Sequence, residues 1–429
     1  MGDDDRWTAL DRPTPEWFRR AKLGIFVHWG PYSVPAWAEP IGELGTIEPT
    51  TWFTHNPYAE WYYNTIRIED SPARAHHRQV WNDRPYDDFL DLWRAEAFDA
   101  ADLCRTFREA GAAYVVLTTK HHDGVTLWDA PGTGDRNTVH RGPRRDLVDD
   151  WATGARSAGL RFATYYSGGL DWHARPFPPH RGASFDGERP KDAGYAAYAA
   201  AHLRALVERY RPDVLWNDIE WPDAGKDFGP DGIGRVFEEY YEAVPDGLVN
   251  DRFNVPHADF ATSEYQASLE NEAGVWENTR GVGLSFGYNG VEADHALTGA
   301  QAARHLVDVV SRGGRLLLGV GPKADGTLPE WQRTILATLG TWTAVAGDLL
   351  TQLEPWQPAT SVVADDVWIR YGRAGSERIA FIDIDDGAGA IALRSPVEVL
   401  TPEWAETSQG HLVLGVRPGP VAVRLLDSD

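Results

Sequence analysis

The sequence predicts a parallel α/β barrel followed by a small antiparallel β-sandwich. Three observations lead there. Eight short apolar runs alternate with helical patterns between residues 23 and 322. No glycine-rich dinucleotide fingerprint follows the first run, which disfavours the competing doubly wound open sheet. Beyond residue 350 the texture changes to short β-like runs split by Gly, Pro, Asp and Ser. The expected division is a (β/α)8-like, TIM-type barrel over 1–350 and a β-sandwich over 351–429.

In chain order the expected strands are LGIFVHWG (23–30), AYVVLTTKHHDG (113–124), LRFATYYSGGLDW (160–172) and VLWNDIEW (214–221). GLVNDRF (247–253), ADFATSEY (258–265), GVWENTRG (274–281) and RLLLGVGP (315–322) complete the eight. Helical patterns fall at 99–110, 145–158, 192–210, 231–243 and 300–312, and another begins at Pro329, a residue suited to a first helical turn. No helix fits between the fifth and sixth strands. The Pro/Gly/Arg-rich insert 173–190 reads as a long loop over one end of the barrel, and 223–230 as a second loop. In the C-terminal region VWIRYG, RIAFIDI, GAIALR, VEVLT, HLVLGV and PVAVRLL read as short strands.

Bulk properties narrow the partners. A net charge of -23 excludes a nucleic-acid face, which needs clustered Lys and Arg. It leaves a neutral ligand such as a sugar open, and the 19 Trp, 16 Tyr and 15 Phe suit the apolar C–H faces of sugars as well as a large core. Cys104 is the sole cysteine, so no internal disulfide forms and nothing points to an oxidising compartment. The chain opens without a basic and apolar leader, and no apolar run approaches the ~20 residues of a membrane span. A cytoplasmic location, without membrane attachment, is expected. The sequence is compatible with a homo-oligomer.

Chemistry in such a barrel sits at the C-terminal ends of the strands. Polar residues gather there: His28 and Trp29, His121 and His122, Tyr165, Tyr166 and Trp172, Asp218 and Glu220, Asp251 and Arg252, Glu264 and Tyr265. Each has a structural reading, whether a hydrogen-bonded core histidine or, for Asp251–Arg252, an ion pair at a strand terminus. KHHDG resembles a metal-binding run, but neighbouring strand residues point to opposite faces, so no metal site is assigned. Asp218 and Glu220 lie two apart and share a face with Trp216 if the strand is regular. Paired carboxylates are what glycoside hydrolysis requires. The residues alone leave the second acid open among Glu264, Glu270, Glu272 and Glu277.

KLGIFVHWGPYSVPAW, AEWYYNT, AAYVVLTTKHHDGVTLWDA, RFATYYSGGLDW, VLWNDIEWP, VNDRFNVPH, GVGLSFGYN and LVDVVSRGGRLLLGVGPKADGTLP resemble glycoside hydrolase family 29, the α-L-fucosidases. The resemblance runs in order from about residue 15 to residue 350. It implies a catalytic (β/α)8-like barrel with a β-sandwich, and release of terminal α-L-fucose from fucosylated oligosaccharides or glycoconjugates by retention, through a covalent fucosyl-enzyme, with no cofactor. By the same resemblance Asp218 is the nucleophile and Glu264, in TSEY, the general acid/base. It also implies a fucose pocket of His28, Glu60, Trp61, His121, His122, Tyr165, Trp216 and Arg252. Phe286 of LSFGYN is suited to pack against the sugar's methyl, Trp216 and Trp221 are expected to build the wall of the sugar pocket, and Glu220 becomes a neighbour of the site. A retaining glycosidase for a related sugar and a catalytically silent fucose binder are the alternatives; a lectin would not need both Asp218 and Glu264.

Overall fold

The structure is a computed structural model that describes residues 3–182, 187–266, 274–363, 367–384 and 388–426. Its first part is a curled sheet of eight parallel strands. These are β1 (Leu23–Val27), β2 (Tyr114–Lys120), β3 (Arg161–Ser167), β4 (Val214–Asp218), β5 (Leu248–Val249), β6 (Ala261–Glu264), β7 (Trp276–Gly281) and β8 (Arg315–Val320). The spatial order is β5-β4-β3-β2-β1-β8-β7-β6, so β1 pairs with both β2 and β8 and the sheet wraps as a barrel does. Between β5 and β6 the described residues show a bridge, Asn250 to Phe260, in place of a ladder. That seam is where the sequence offers no helix, and the connection carries a single 3-10 turn, Asp251–Phe253.

The first four strands stop short of their apolar runs, because the polar residues at the C-terminal end leave the ladder. β1 stops at Val27, one residue before His28, and β4 stops at Asp218. Alternation along the strands divides two cores. Leu23, Ile25 and Val27 face the outer layer with Val115, Leu117, Leu215, Leu316 and Leu318. Phe26, Tyr114, Val116, Ala163, Trp216 and Leu317 face inward and fill the barrel. Burying one such side chain contributes roughly 1.5–3 kcal/mol.

The outer layer includes the helices Ala100–Glu109, Leu147–Ser157, Ala193–Tyr210, Ile233–Ala243 and Gly299–Ser311, followed by Glu330–Thr351. Their starts follow from side-chain caps: Asp99, Asp146, Asp192 and Thr298 each accept a hydrogen bond from a first-turn amide. A cap of this kind contributes ~1 kcal/mol. No helix among the described residues is long and apolar enough to cross a membrane.

The C-terminal strands are β9 (Glu354–Pro355), β10 (Trp368–Ala374), β11 (Glu377–Asp383), β12 (Gly389–Ala392), β13 (Val397–Val399), β14 (Ala405–Ser408), β15 (His411–Leu414) and β16 (Val421–Leu425). They form two antiparallel sheets, β13-β16-β11-β10-β9 and β12-β15-β14. β9 and β14 go beyond the sequence expectation. The AETS of β14 is too polar to stand out, yet Gln409 (φ 49°) and Gly410 (φ 78°) make the tight hairpin turn that pairs it with β15. Trp342 Nε1 donates to Pro420 O at 2.9 Å and Arg370 pairs with Asp308, which fastens these sheets to the barrel's helices.

Candidate active site

The site begins where β4 breaks. After Asp218 the chain turns through Ile219 (φ 68°) and Glu220 (φ 139°), conformations that a β-branched and a long side chain rarely adopt. Such residues cost on the order of 1–3 kcal/mol each and persist only when neighbours over-determine them. Here Asn217 Nδ2 donates to Glu220 O at 3.0 Å and to Arg252 O at 2.8 Å, and the Ile219 amide donates to Asp218 Oδ1 at 2.9 Å. The turn leaves the Asp218 carboxylate at the wall of a cavity, 8% exposed. Tyr165, on β3, donates its hydroxyl to Asp218 Oδ2 at 2.8 Å, and His122 Nε2 lies 3.7 Å from the same oxygen. Burial and the Asp218 charge hold the Tyr165 phenol well above its ordinary range, so it stays a donor.

Arg252 joins the two carboxylates. It comes from the 3-10 turn after β5, lies over the Trp216 ring at 4.7 Å, and donates through Nη1 to Asp218 Oδ1 at 2.8 Å. Its Nη2 donates to Glu264 Oε2 at 3.1 Å. The other Glu264 oxygen accepts from the Tyr58 hydroxyl at 2.8 Å. The Asp218 and Glu264 charges raise the Arg252 guanidinium above its ordinary range against the opposing effect of burial. Trp216 is fixed beneath by its own indole N–H, which donates to Glu277 Oε1 at 2.8 Å, and by stacking on Tyr165 at 5.6 Å.

Around this pair lies a cavity of about 330 Å³ with mostly apolar walls. The eleven residues given a catalytic or sugar-binding role from the sequence line it: His28, Glu60, Trp61, His121, His122, Tyr165, Trp216, Asp218, Arg252, Glu264 and Phe286. His28 and His121 leave Nδ1 without a hydrogen-bond partner, and burial holds both rings well below the ordinary imidazole range, so they are neutral. Neutral imidazole can donate and accept, which suits hydroxyl groups. Glu60 accepts from Ser285 Oγ at 3.0 Å and from the Gly287 amide at 2.8 Å, while burial pushes its carboxyl up to about 7. Phe286 packs 5.0 Å from the His28 ring.

A family model described as Alpha-L-fucosidase matches residues 4–348. The chain belongs to the α-L-fucosidase family. It is therefore a glycoside hydrolase. Plasma α-L-fucosidase of Rattus norvegicus is 32% identical over 381 residues, covering 85% of this chain and 76% of the relative. Tissue α-L-fucosidase of Homo sapiens is 30% identical over 413 residues, covering 92% and 81%. The crystal structure of Thermotoga maritima α-fucosidase in complex with fucose superposes with a TM-score of 0.84 at 40% identity, covering 98% of this chain and 99% of that one.

Within this fucosidase four expectations change. Glu220 does not share a face with Asp218, because the positive-φ turn swings it outward to Arg189 at 2.6 Å and Lys226 at 2.5 Å. Trp221 is no part of the cavity wall; it is fully buried against Phe253 in the outer core. Asp251 does not pair with Arg252 but accepts from the Thr262 amide at 3.1 Å and hydroxyl at 2.8 Å. Glu277, a candidate second acid, is sealed below Trp216 between Tyr114 and the indole, and burial holds its carboxyl above the ordinary range. Glu270 and Glu272 lie outside the described residues. The insert 173–190 and the loop 223–230 contribute no lining residue among those described. Instead the cavity takes Leu44, Gly45, Ile47, Pro49, Trp52 and Phe53, which the strand-based reading passed over. Tyr58 was missed as well, although it stands two residues before Glu60 in the same PYAEW segment.

Proposed function

We propose that the protein is a retaining exo-α-L-fucosidase acting on terminal α-L-fucosides by double displacement. The observation that carries this is the single Arg252 guanidinium holding Asp218 at 2.8 Å and Glu264 at 3.1 Å. One guanidinium bridging both carboxylates keeps them close together, as retaining glycosidases require, whose two carboxyl groups stand ~5–5.5 Å apart.

In the first step an Asp218 oxygen bonds to the anomeric carbon as the glycosidic C–O bond breaks, and Glu264 gives its proton to the departing oxygen. Esterification removes the Asp218 charge beside Arg252 as Glu264, its proton given up, acquires one. The guanidinium then stabilises Glu264 as a carboxylate, the form able to take a proton from water. Water attacks the anomeric carbon, its proton goes to Glu264, and Asp218 leaves as a carboxylate. Tyr165 and His122 steady the Asp218 charge at the start and end of the cycle. His28, His121, Glu60 and Trp61 are assigned to the fucose hydroxyls, and Phe286 to the methyl group.

Proton NMR on a fresh reaction tests this: retention delivers α-fucose first, with the β anomer growing in by mutarotation. Appearance of β-fucose first would overturn double displacement. Asp218→Ala should lose turnover by a thousand-fold or more, on the order seen when a catalytic nucleophile is removed. Azide should restore part of it as β-fucosyl azide.

A further inference from the structure

We propose that the rim segment 44–52, together with Ile219, forms the leaving-group subsite and favours leaving groups that turn an uncharged, apolar face to it. The inference rests on the retaining reading, because the acid that protonates the departing oxygen must stand on the leaving group's side of the anomeric carbon. Glu264 is that acid, so the surface flanking Glu264 is where the leaving group passes.

Three observations place the rim there. The Tyr58 hydroxyl that donates to Glu264 belongs to a ring packed edge-on against Trp52 at 5.0 Å. A Cβ built on Gly45 would stand 3.5 Å from the side chain of Gln266, two residues beyond Glu264. Ile219 directly follows the nucleophile and lines the same cavity. Leu44, Ile47 and Ile219 are half-buried and Pro49 is exposed, so these side chains form the mouth and not the floor.

The wall is braced in advance of any ligand. Arg280, buried at the end of β7, donates to Glu43 at 2.7 Å just before the segment. Glu48 caps the helix Pro49–Thr54, accepting from the Thr50 and Thr51 amides at 3.0 and 3.2 Å. His55 pairs with Glu39 at 2.6 Å just beyond it. A preformed wall binds without an ordering cost. Among the described lining residues the cationic side chain is Arg252, already shared by Asp218 and Glu264. An anionic leaving group therefore meets no free positive charge among the described residues of this mouth. An aryl group, or a neutral sugar presenting its C–H face, meets Leu44, Ile47 and Trp52.

The test compares two substrates on one protein sample. 4-Methylumbelliferyl α-L-fucoside carries an apolar leaving group, whereas α-L-fucosyl fluoride carries none that could reach the rim. In Leu44→Ser/Ile47→Ser the ratio of kcat/KM for the aryl fucoside to that for the fluoride should fall about tenfold, the scale of lost apolar contacts in a substrate pocket. Both rates scale with the folded fraction, so the ratio is independent of it. The single variants Leu44→Ala and Ile47→Ala give the same readout if the double variant does not fold. An unchanged ratio overturns the subsite. Loss of turnover of both substrates in the unaltered protein overturns the fucosidase reading instead.

Discussion

Glu60 illustrates how a single buried carboxyl writes itself into the pH response. Burial raises its pKa from an ordinary 4.5 to about 7, although Ser285 and Gly287 donate to it. The folded protein therefore binds this proton more tightly than the unfolded chain does, and stability falls as pH rises from 4.5 towards 7. The loss is complete above that range and amounts to on the order of 3 kcal/mol. Glu60→Gln cannot ionise and escapes it. Its melting temperature relative to the unaltered protein should thus be higher at pH 8 than at pH 5. Equal differences at the two values would contradict the assignment. Among the other candidate residues, Glu60's neighbour Trp61, and Trp216 and Phe286, rested on the family resemblance, whereas His28, His121, His122, Tyr165, Asp218, Arg252 and Glu264 were legible because they are polar where an apolar strand should end. Glu277 was misleading for the same reason: a carboxyl next to Trp276 looks catalytic in sequence, and the donors that tie it down, Tyr114 and Trp216, come from other strands.

At the level of elements, the turn after β4 needs room that its neighbour must leave. β3 is followed by Gly168 and Gly169, and a Cβ on Gly168 would stand 2.2 Å from Asn217 Oδ1 and 2.8 Å from the Trp221 ring. Asn217 is the residue that holds the positive-φ turn through its amide, so a methyl group there pushes the support of Asp218, the proposed nucleophile. A displacement of about 1 Å at a reacting group costs roughly a hundredfold in rate. Gly168→Ala should accordingly lose about that factor in kcat on an aryl fucoside while its far-UV circular dichroism is unchanged. A variant within threefold of the original would show that the turn tolerates the intrusion. Strand and helix positions were readable from apolar period and capping residues. The break at Ile219 was not, since nothing in the residue type of isoleucine announces a left-handed backbone.

For the whole molecule, the barrel and the trailing sheets were foreseeable from the order of runs, and the absent helix after β5 was visible as a gap. The rim over 44–52 was hidden because it belongs to no strand. It lies in the chain between β1 and β2 and reaches the cavity through tertiary packing alone. Sequence patterns report periodicity within an element, and a loop crossing a barrel mouth has none.

The seam between β5 and β6 has its own consequence. Asp251 and Arg252 stitch it with side chains, Asp251 to the Thr262 amide and Arg252 Nε to the Thr262 hydroxyl at 3.0 Å. Glu264 therefore rides on a stave that is laddered to β7 on one flank and laced by two side chains on the other. Local opening is cheapest where backbone bonding is thinnest. Amide hydrogens of 261–264 should exchange with deuterated solvent faster than those of β1 and slow down when fucose fills the cavity. Exchange as slow as in β1 without sugar would mean that the lacing is as strong as a ladder. If it opens as expected, the residue proposed to donate the proton is also the hinge on which the barrel breathes, and substrate is the clasp that stills it.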